Sequence, residues 1–132
     1  MAWEVNDEEF ASVLALPANR RYGYFVKRAA SHGEVWSLRG DGGWVVAADE
    51  QDNPHFPVWP HPRFAEACAE GPWDGEESVA VEIDEWVEAW LPKLDRDGMR
   101  IAVFQTPEDQ GVGVAPLRLK RDLEDELSQF EL

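Results

Sequence analysis

The segment His55-Phe56-Pro57-Val58-Trp59-Pro60-His61-Pro62 places two of the chain's 3 histidines in a run stiffened by three prolines. Imidazole titrates near neutrality and coordinates zinc, so His55 and His61, with a carboxylate such as Asp84, could serve as acid and base or as metal ligands. The competing reading is structural: a strand entering a helix, with His61 capping the helix and Trp59 packed in the core. The structural reading is preferred, because the sequence has neither a histidine pair at helical i, i+4 spacing nor a Cys-x-x-Cys partner. Cys68 admits a thiol nucleophile paired with His32, His55 or His61. It sits on the apolar stripe Phe64, Ala67, Cys68, so a small buried hydrophobe is the better expectation.

Other chemistry is weakly encoded. Gly40-Asp41-Gly42-Gly43 lacks the Lys-Ser or Lys-Thr ending of a phosphate loop and precedes a strand, so it is read as a hairpin turn. Asp49-Glu50-Gln51-Asp52 lacks the ligand periodicity and central glycine of a calcium loop and is read as solvated acidic loop. Arg118, Lys120 and Arg121 open the last helical segment, where the helix dipole favours acids. Pairs to Asp122, Glu124 and Asp125 offset this, and Arg118 and Arg121 are candidates to meet an anionic group. Arg20-Arg21 and Lys27-Arg28 are expected to dock on acidic parts of the same chain. Seven tryptophans supply core packing, with Trp36 on a hairpin and Trp73 in a Pro/Gly loop as candidates for an exposed aromatic patch. The candidate binding residues are thus Trp36, Trp59, His61, Trp73, Arg118 and Arg121. No catalytic residue, metal ligand or cofactor site is assigned.

The elements that must position these residues follow from period and punctuation. Asn6 caps a helix opened by Asp7, Glu8 and Glu9, with Phe10, Val13 and Leu14 on one face. Pro17 opens a second helix, in which Tyr22, Phe25, Val26 and Ala29 share a face until Gly33 stops it; Gly23 inside it suggests a close packing contact. Alternation from Val35 to Arg39, the glycine turn and Trp44-Val45-Val46-Ala47-Ala48 predict a hairpin. Phe56 to Pro60 is expected as an edge or terminal strand, since each proline lacks a ladder donor. Pro62 opens a helix that Gly71 ends, Ser78 to Ile83 forms a strand, and Asp84 caps a helix interrupted at Pro92. Strands from Met99 to Phe104 and Gly111 to Ala115 precede a helix from Pro116 that aligns Leu119, Leu123, Leu127 and Phe130. The order predicts an α+β fold, one domain over residues 1–132, with a mixed, mostly antiparallel sheet and flanking helices.

Charge narrows the partners. The formal net charge is -15 from 12 basic and 27 acidic residues. Through Gly40 the chain carries 5 basic and 5 acidic residues, so all of the net charge follows. Such a field repels phosphates and anionic lipid, which argues against nucleic-acid and membrane-surface roles. One cysteine cannot form an internal disulfide, no signal peptide is visible, and no apolar run approaches the ~20 residues of a membrane span. A cytoplasmic protein, monomer or homodimer, is expected.

The strings Arg21-Tyr22-x-Tyr24-Phe25-Val26-Lys27, Glu34-Val35-Trp36-x-Leu38 and Pro57-Val58-Trp59-Pro60-His61-Pro62-x-Phe64-Ala65 continue through Trp90-Leu91-Pro92 and Val103-Phe104 to the acidic last helix. Together they resemble a family of small uncharacterised bacterial proteins, the domain of unknown function 2750, over nearly the whole chain. The resemblance implies a bacterial, cytosolic origin and supplies neither substrate nor catalytic residue. More distantly, the succession of elements resembles the N-terminal domain of SseB-like proteins, mixed sheets with helices linked to protein interaction. Ala115-Pro116 departs from the Asn-Pro-Gly-like ending of that pattern, so no ligand contact is carried over. The expectation is a non-enzymatic interaction or accessory protein, of the immunity or regulatory kind, meeting a protein partner through an acidic surface and an aromatic patch. The alternatives are a small hydrolase or metal-dependent enzyme centred on His55 and His61, and an acidic mimic of nucleic acid.

Overall fold

The computed structural model describes residues 3–129. Helix α1 (Asp7–Leu14) starts where Asn6 Oδ1 accepts the Glu9 amide at 2.8 Å, with three acids in its first turn, as the cap and dipole preferences require. Helix α2 (Ala18–His32) follows Pro17 and stops at Gly33, whose φ of 77° is the left-handed conformation that glycine adopts without strain. Phe25, Val26 and Ala29 form its buried stripe. Gly23 marks no close contact: a Cβ there would meet nothing within 4 Å.

The strands form two small sheets. Strand β1 (Glu34–Gly40) pairs antiparallel with β2 (Gly43–Trp44) and with β5 (Glu77–Glu82). In the second sheet β3 (Ala47–Ala48), β4 (Pro54–Val58), β6 (Arg100–Val103) and β7 (Val112–Val114) lie in that order, antiparallel except for the parallel pair β4–β6. The expected α+β architecture is therefore present, with the sheet divided in two. The returning arm of the expected hairpin is divided as well: Trp44 stays with β1, while Ala47 and Ala48 cross to pair with His55 and Pro54. An isolated antiparallel bridge between Trp36 and Trp59 joins the sheets.

Strand β4 corrects the expectation of an edge strand, because it lies inside its sheet despite Pro54 and Pro57. Backbone polar groups alternate sides along a strand. The Val58 carbonyl accepts the Phe104 amide on the β6 side, whereas the Pro57 carbonyl accepts the Ser37 hydroxyl on the other side. The missing N–H of Pro57 therefore points away from β6, past the end of β3, which pairs only as far as His55. No ladder bond is lost there, and proline is tolerated.

Helix α3 (Pro62–Ala67) begins at Pro62 and ends at Cys68, ahead of the expected Gly71, which instead opens a 3₁₀ turn (Gly71–Trp73). After β5, α4 (Ile83–Glu85) runs through a π-helical turn (Trp86–Trp90) into α5 (Leu91–Arg96). Glu82 occupies the cap position and its side chain makes no cap bond, so Asp84 lies within the first turn instead of capping it. Pro92 does not interrupt the helix. The Leu91 amide reaches back to the Trp86 carbonyl, a wider turn that absorbs the missing proline donor immediately afterwards. Helix α6 (Pro116–Ser128) buries Leu119 and Leu123; Phe130 lies outside the described residues.

One contiguous core contains Phe25, Val58, Trp59, Phe64, Trp86, Ile101 and Leu123, all buried. Around Phe56, the rings of Trp44, Trp86 and Trp90 meet at centroid distances of 5.1–5.8 Å, the offset and edge geometries that aromatic quadrupoles favour. Trp86 Nε1 is the buried side-chain donor left without a partner among the described residues. Nothing in the structure explains that orphan.

Arg21 is 1% exposed yet satisfied. It donates to the carbonyls of Leu16 (2.5 Å), Phe104 (2.9 Å) and Gln110 (3.0 Å) and to Asp109 Oδ2 (3.0 Å). These bonds lock the segment after β6 onto α2, including Phe104 at φ 60°, a conformation that costs a bulky residue about 1–3 kcal/mol. The expected internal docking of the Arg20-Arg21 cluster is thus met by Arg21. Replacing Arg21 by Met leaves three carbonyls and a carboxylate facing an apolar chain, and is expected to cost about 3–5 kcal/mol in urea unfolding. Asp109→Asn keeps the carbonyl contacts and removes only an ion pair whose acid is 58% exposed, so a loss below about 1 kcal/mol is expected.

Candidate functional site

The structure separates the residues that an enzymatic reading would need together. His55 lies at the start of β4 and His61 beyond its end, and they line different recesses. Asp84 lines neither of these. His61 is committed at both ring nitrogens: Nδ1 accepts the Arg63 amide at 3.1 Å, and Nε2 lies 2.8 Å from the Trp3 carbonyl. A carbonyl accepts only, so Nε2 carries the proton and the ring is the neutral tautomer. The expected helix cap is present. Among the described residues no group of three or more His, Cys, Asp or Glu is placed to hold a metal ion.

Cys68 and Trp59 are likewise structural. The Cys68 thiol is buried and donates to the Gln105 carbonyl at 3.4 Å. Burial, then the nearby Glu70 carboxylate, push its pKa up to about 12, the opposite of an activated nucleophile. Trp59 is fully buried, with its indole N–H on the same carbonyl at 2.8 Å. That corrects its expectation as a binding residue: none of its surface is available to a partner. Trp73 is half-buried and packs edge-on against Trp59 at 6.3 Å.

Trp36 and His61, by contrast, meet. With Trp3, His32, Glu34 and the prolines around His61 they line a recess of about 230 Å³. Helix α2 delivers His32 at its last residue, β1 delivers Glu34 and Trp36, and the chain entering α3 delivers Pro60, His61 and Pro62. Trp3 arrives from the N-terminal segment, held by the His61 bond and by Arg63, which donates to the Val5 carbonyl (2.8 Å) and Asp7 (2.6 Å). The Trp3 indole stacks on His32 at 4.6 Å and 11°, meets His61 edge-on at 4.9 Å, and has the Arg28 guanidinium 5.0 Å from its centroid. Desolvation, then Arg28 and His61, lower the His32 pKa.

Chemically the recess has aromatic and prolyl walls and the Glu34 carboxylate at the rim. Its volume falls below the ~300 Å³ at which pockets for drug-sized ligands begin. The sequence pointed to Trp36 and His61 but missed Trp3, His32 and Glu34. Only the long-range bonds of Arg63 and His61 bring Trp3 in, and no local pattern carries that information.

The basic start of α6 pairs with its own helix, Arg118 with Asp122 at 3.9 Å and Lys120 with Glu124 at 2.9 Å. The expected third pair, Arg121 with Asp125, does not come within ion-pair distance among the described residues. Both arginines are exposed and lie away from the recess.

The family model described as "Protein of unknown function (DUF2750)" matches residues 22–123. The match spans every lining residue of the recess except Trp3. No curated protein and no solved structure matches the chain.

The two histidines of the recess should differ in solution. Proton-coupled ¹⁵N NMR is expected to show His61 as the Nε2–H tautomer, and His32 titrating below its ordinary 6.5. A lowered folded pKa means that the unfolded chain binds the extra proton first. The His32 contribution to stability is therefore intact above about pH 6.5 and is lost as pH falls through the folded pKa. His32→Ala should flatten that part of the stability profile, measured by urea unfolding between pH 5 and 7.

Proposed function

Taking as premise that the chain belongs to the DUF2750 family of proteins of unknown function, we propose that it is a non-enzymatic interaction or accessory protein that holds a side chain of a protein partner in the aromatic recess. The observation that carries this reading is the pair of half-buried indoles, Trp3 and Trp36, held around a side-chain-sized recess by bonds to fully structured neighbours. Tryptophan in such a setting is the residue type that dominates binding energy at interfaces, because desolvating its large face is favourable and costs little side-chain entropy.

The charge supports a basic partner. A net -15, with Glu34 at the rim, attracts a cationic surface and steers its approach, an effect that salt screens over about 10 Å at 0.1 M. A bacterial, cytoplasmic setting and a monomer or homodimer belong to this same reading. In the described residues no helix is long and apolar enough to cross a membrane. The separation of His55, His61 and Asp84 disfavours the hydrolase alternative, whose groups would have to converge.

Quantitative affinity capture from cell extract, comparing the native chain with Trp36→Ala and Glu34→Gln, tests the proposal. A specific partner should be retained by the native chain and weakened by about 30-fold or more in Trp36→Ala, as for a central interface aromatic. Glu34→Gln should mainly reduce the salt dependence of that capture. Equal capture by Trp36→Ala, with its melting temperature unchanged, would remove the recess from the interface. Capture confined to DNA-handling proteins would favour nucleic-acid mimicry instead.

A further inference from the structure

A second recess, independent of the aromatic one, lies on the opposite side of the four-stranded sheet from the core. Side chains alternate along strands, and Phe56, Val58, Ile101, Val103 and Val114 all point into the core. The opposite face carries His55, Arg100 and the small residues Ala47, Ala102 and Gly113, which are register neighbours across the strands. The small residues leave a hollow of about 270 Å³, to whose lining Gln105, Gln110 and Asp49 also contribute, the Asp49 carboxylate accepting from the Gln51 and Asn53 amides and from Asn53 Nδ2.

The imidazole beside this hollow is fixed in place. His55 is only 7% exposed, and its Nδ1 lies 2.9 Å from the Asn53 carbonyl. That carbonyl can only accept, so Nδ1 carries a proton, and in the neutral ring Nε2 presents a lone pair. Nε2 has no hydrogen-bond partner among the described residues, although the imidazole is more than nine-tenths buried and lines the hollow. A Cβ on Gly113 would lie 2.9 Å from Nε2, so glycine keeps that atom open. On the next strand Arg100 is the register partner of His55 and gives one guanidinium bond to the Gly113 carbonyl at 3.2 Å, leaving its other N–H groups uncommitted.

The backbone of the two glutamines is held by the core. The Gln105 carbonyl accepts from buried Trp59 and Cys68, and the Gln110 carbonyl from buried Arg21. The result is one exposed guanidinium, one imidazole nitrogen open to the hollow, one carboxylate already engaged by backbone and side-chain amides, and two glutamines, around a space large enough for a small metabolite. A carboxylate matches the guanidinium, and an acceptor with no donor of its own calls for an O–H or N–H close to that carboxylate.

We propose that this recess binds a small carboxylate bearing a hydroxyl or amino group on the neighbouring carbon. Its carboxylate sits on Arg100, its O–H or N–H donates to His55 Nε2, and the Gln105 and Gln110 amides meet the remaining polar atoms. The site makes no use of Trp36 or His61, so its fate is separable from that of the aromatic recess.

NMR titration of the full chain with lactate and with glycine, using acetate and inorganic phosphate as comparisons, tests the assignment. Lactate or glycine should shift His55 Nε2 and the amides of Arg100, Gln105 and Gln110 saturably, with Kd below about 10 mM. Whichever binds tells a hydroxy acid from an amino acid. Acetate lacks the donor and should bind about tenfold more weakly or worse, as should the preferred probe to Arg100→Met and Gly113→Ala. Arg100 is exposed, so Arg100→Met is expected to keep the native melting temperature and to remain informative if Gly113→Ala proves unstable. Failure of both probes to saturate below about 10 mM, affinity unchanged in Arg100→Met, or phosphate and acetate binding as tightly as the preferred probe would each overturn the proposal.

Discussion

Two backbone hydrogen bonds, Trp36 N–H to the Trp59 carbonyl at 2.9 Å and Trp59 N–H to the Trp36 carbonyl at 2.8 Å, join the two sheets. The Ser37 hydroxyl adds a buried bond to the Pro57 carbonyl at 2.6 Å. The rest of the molecule is arranged around this junction. It fixes β1 against the end of β4, sends the Trp59 indole inward to Gln105, and keeps the Trp36 indole half-buried where the chain turns into α3. Because side chains alternate with a period of two, a slip of one residue here would reverse every assignment on the strand that slipped. A slip of β1 would take Trp36 out of the aromatic recess, and a slip of β4 would take His55 out of the hollow on the far face.

The segment from Phe104 to Gln110 is the second dependency, and it is held from beneath. Arg21, the Trp59 indole and the Cys68 thiol, all buried, donate to its carbonyls. Three donors from three separate parts of the chain tie the segment's backbone to the core, although it belongs to no helix or strand and residues 107–110 are exposed. The backbone of Gln105 and Gln110, both of which line the far-face hollow, is thereby anchored without belonging to a strand. A buried arginine whose partners are mostly carbonyls also avoids a fully desolvated ion pair, since Asp109 remains largely exposed.

Much of this was legible in the sequence because it is local. Asn6 before three acids, Pro62 and Pro116 at helix starts, Gly33 at a helix end and the apolar stripe that hides Cys68 each act within a turn of chain. The His61 cap belongs with them. What escaped is tertiary. The tolerance of Pro57 inside a sheet depends on which side its absent donor faces and on where β3 ends, neither of which the sequence states. The π turn before Pro92 replaces an expected break, because the apolar packing of Trp86 and Trp90 keeps the helix continuous. Trp3 joins the recess through its own bond to His61 and through those of Val5 and Asp7 to Arg63, across more than fifty residues of chain.

Native-state hydrogen exchange at the Trp36 and Trp59 amides tests the junction most directly. If the bridge makes the two sheets one cooperative unit, both amides will exchange only through global opening, with protection free energies within about 1 kcal/mol of the unfolding free energy. Exchange of either amide through a local opening several kcal/mol cheaper than unfolding would contradict this, and would mean that the sheets, and the recesses they frame, move independently.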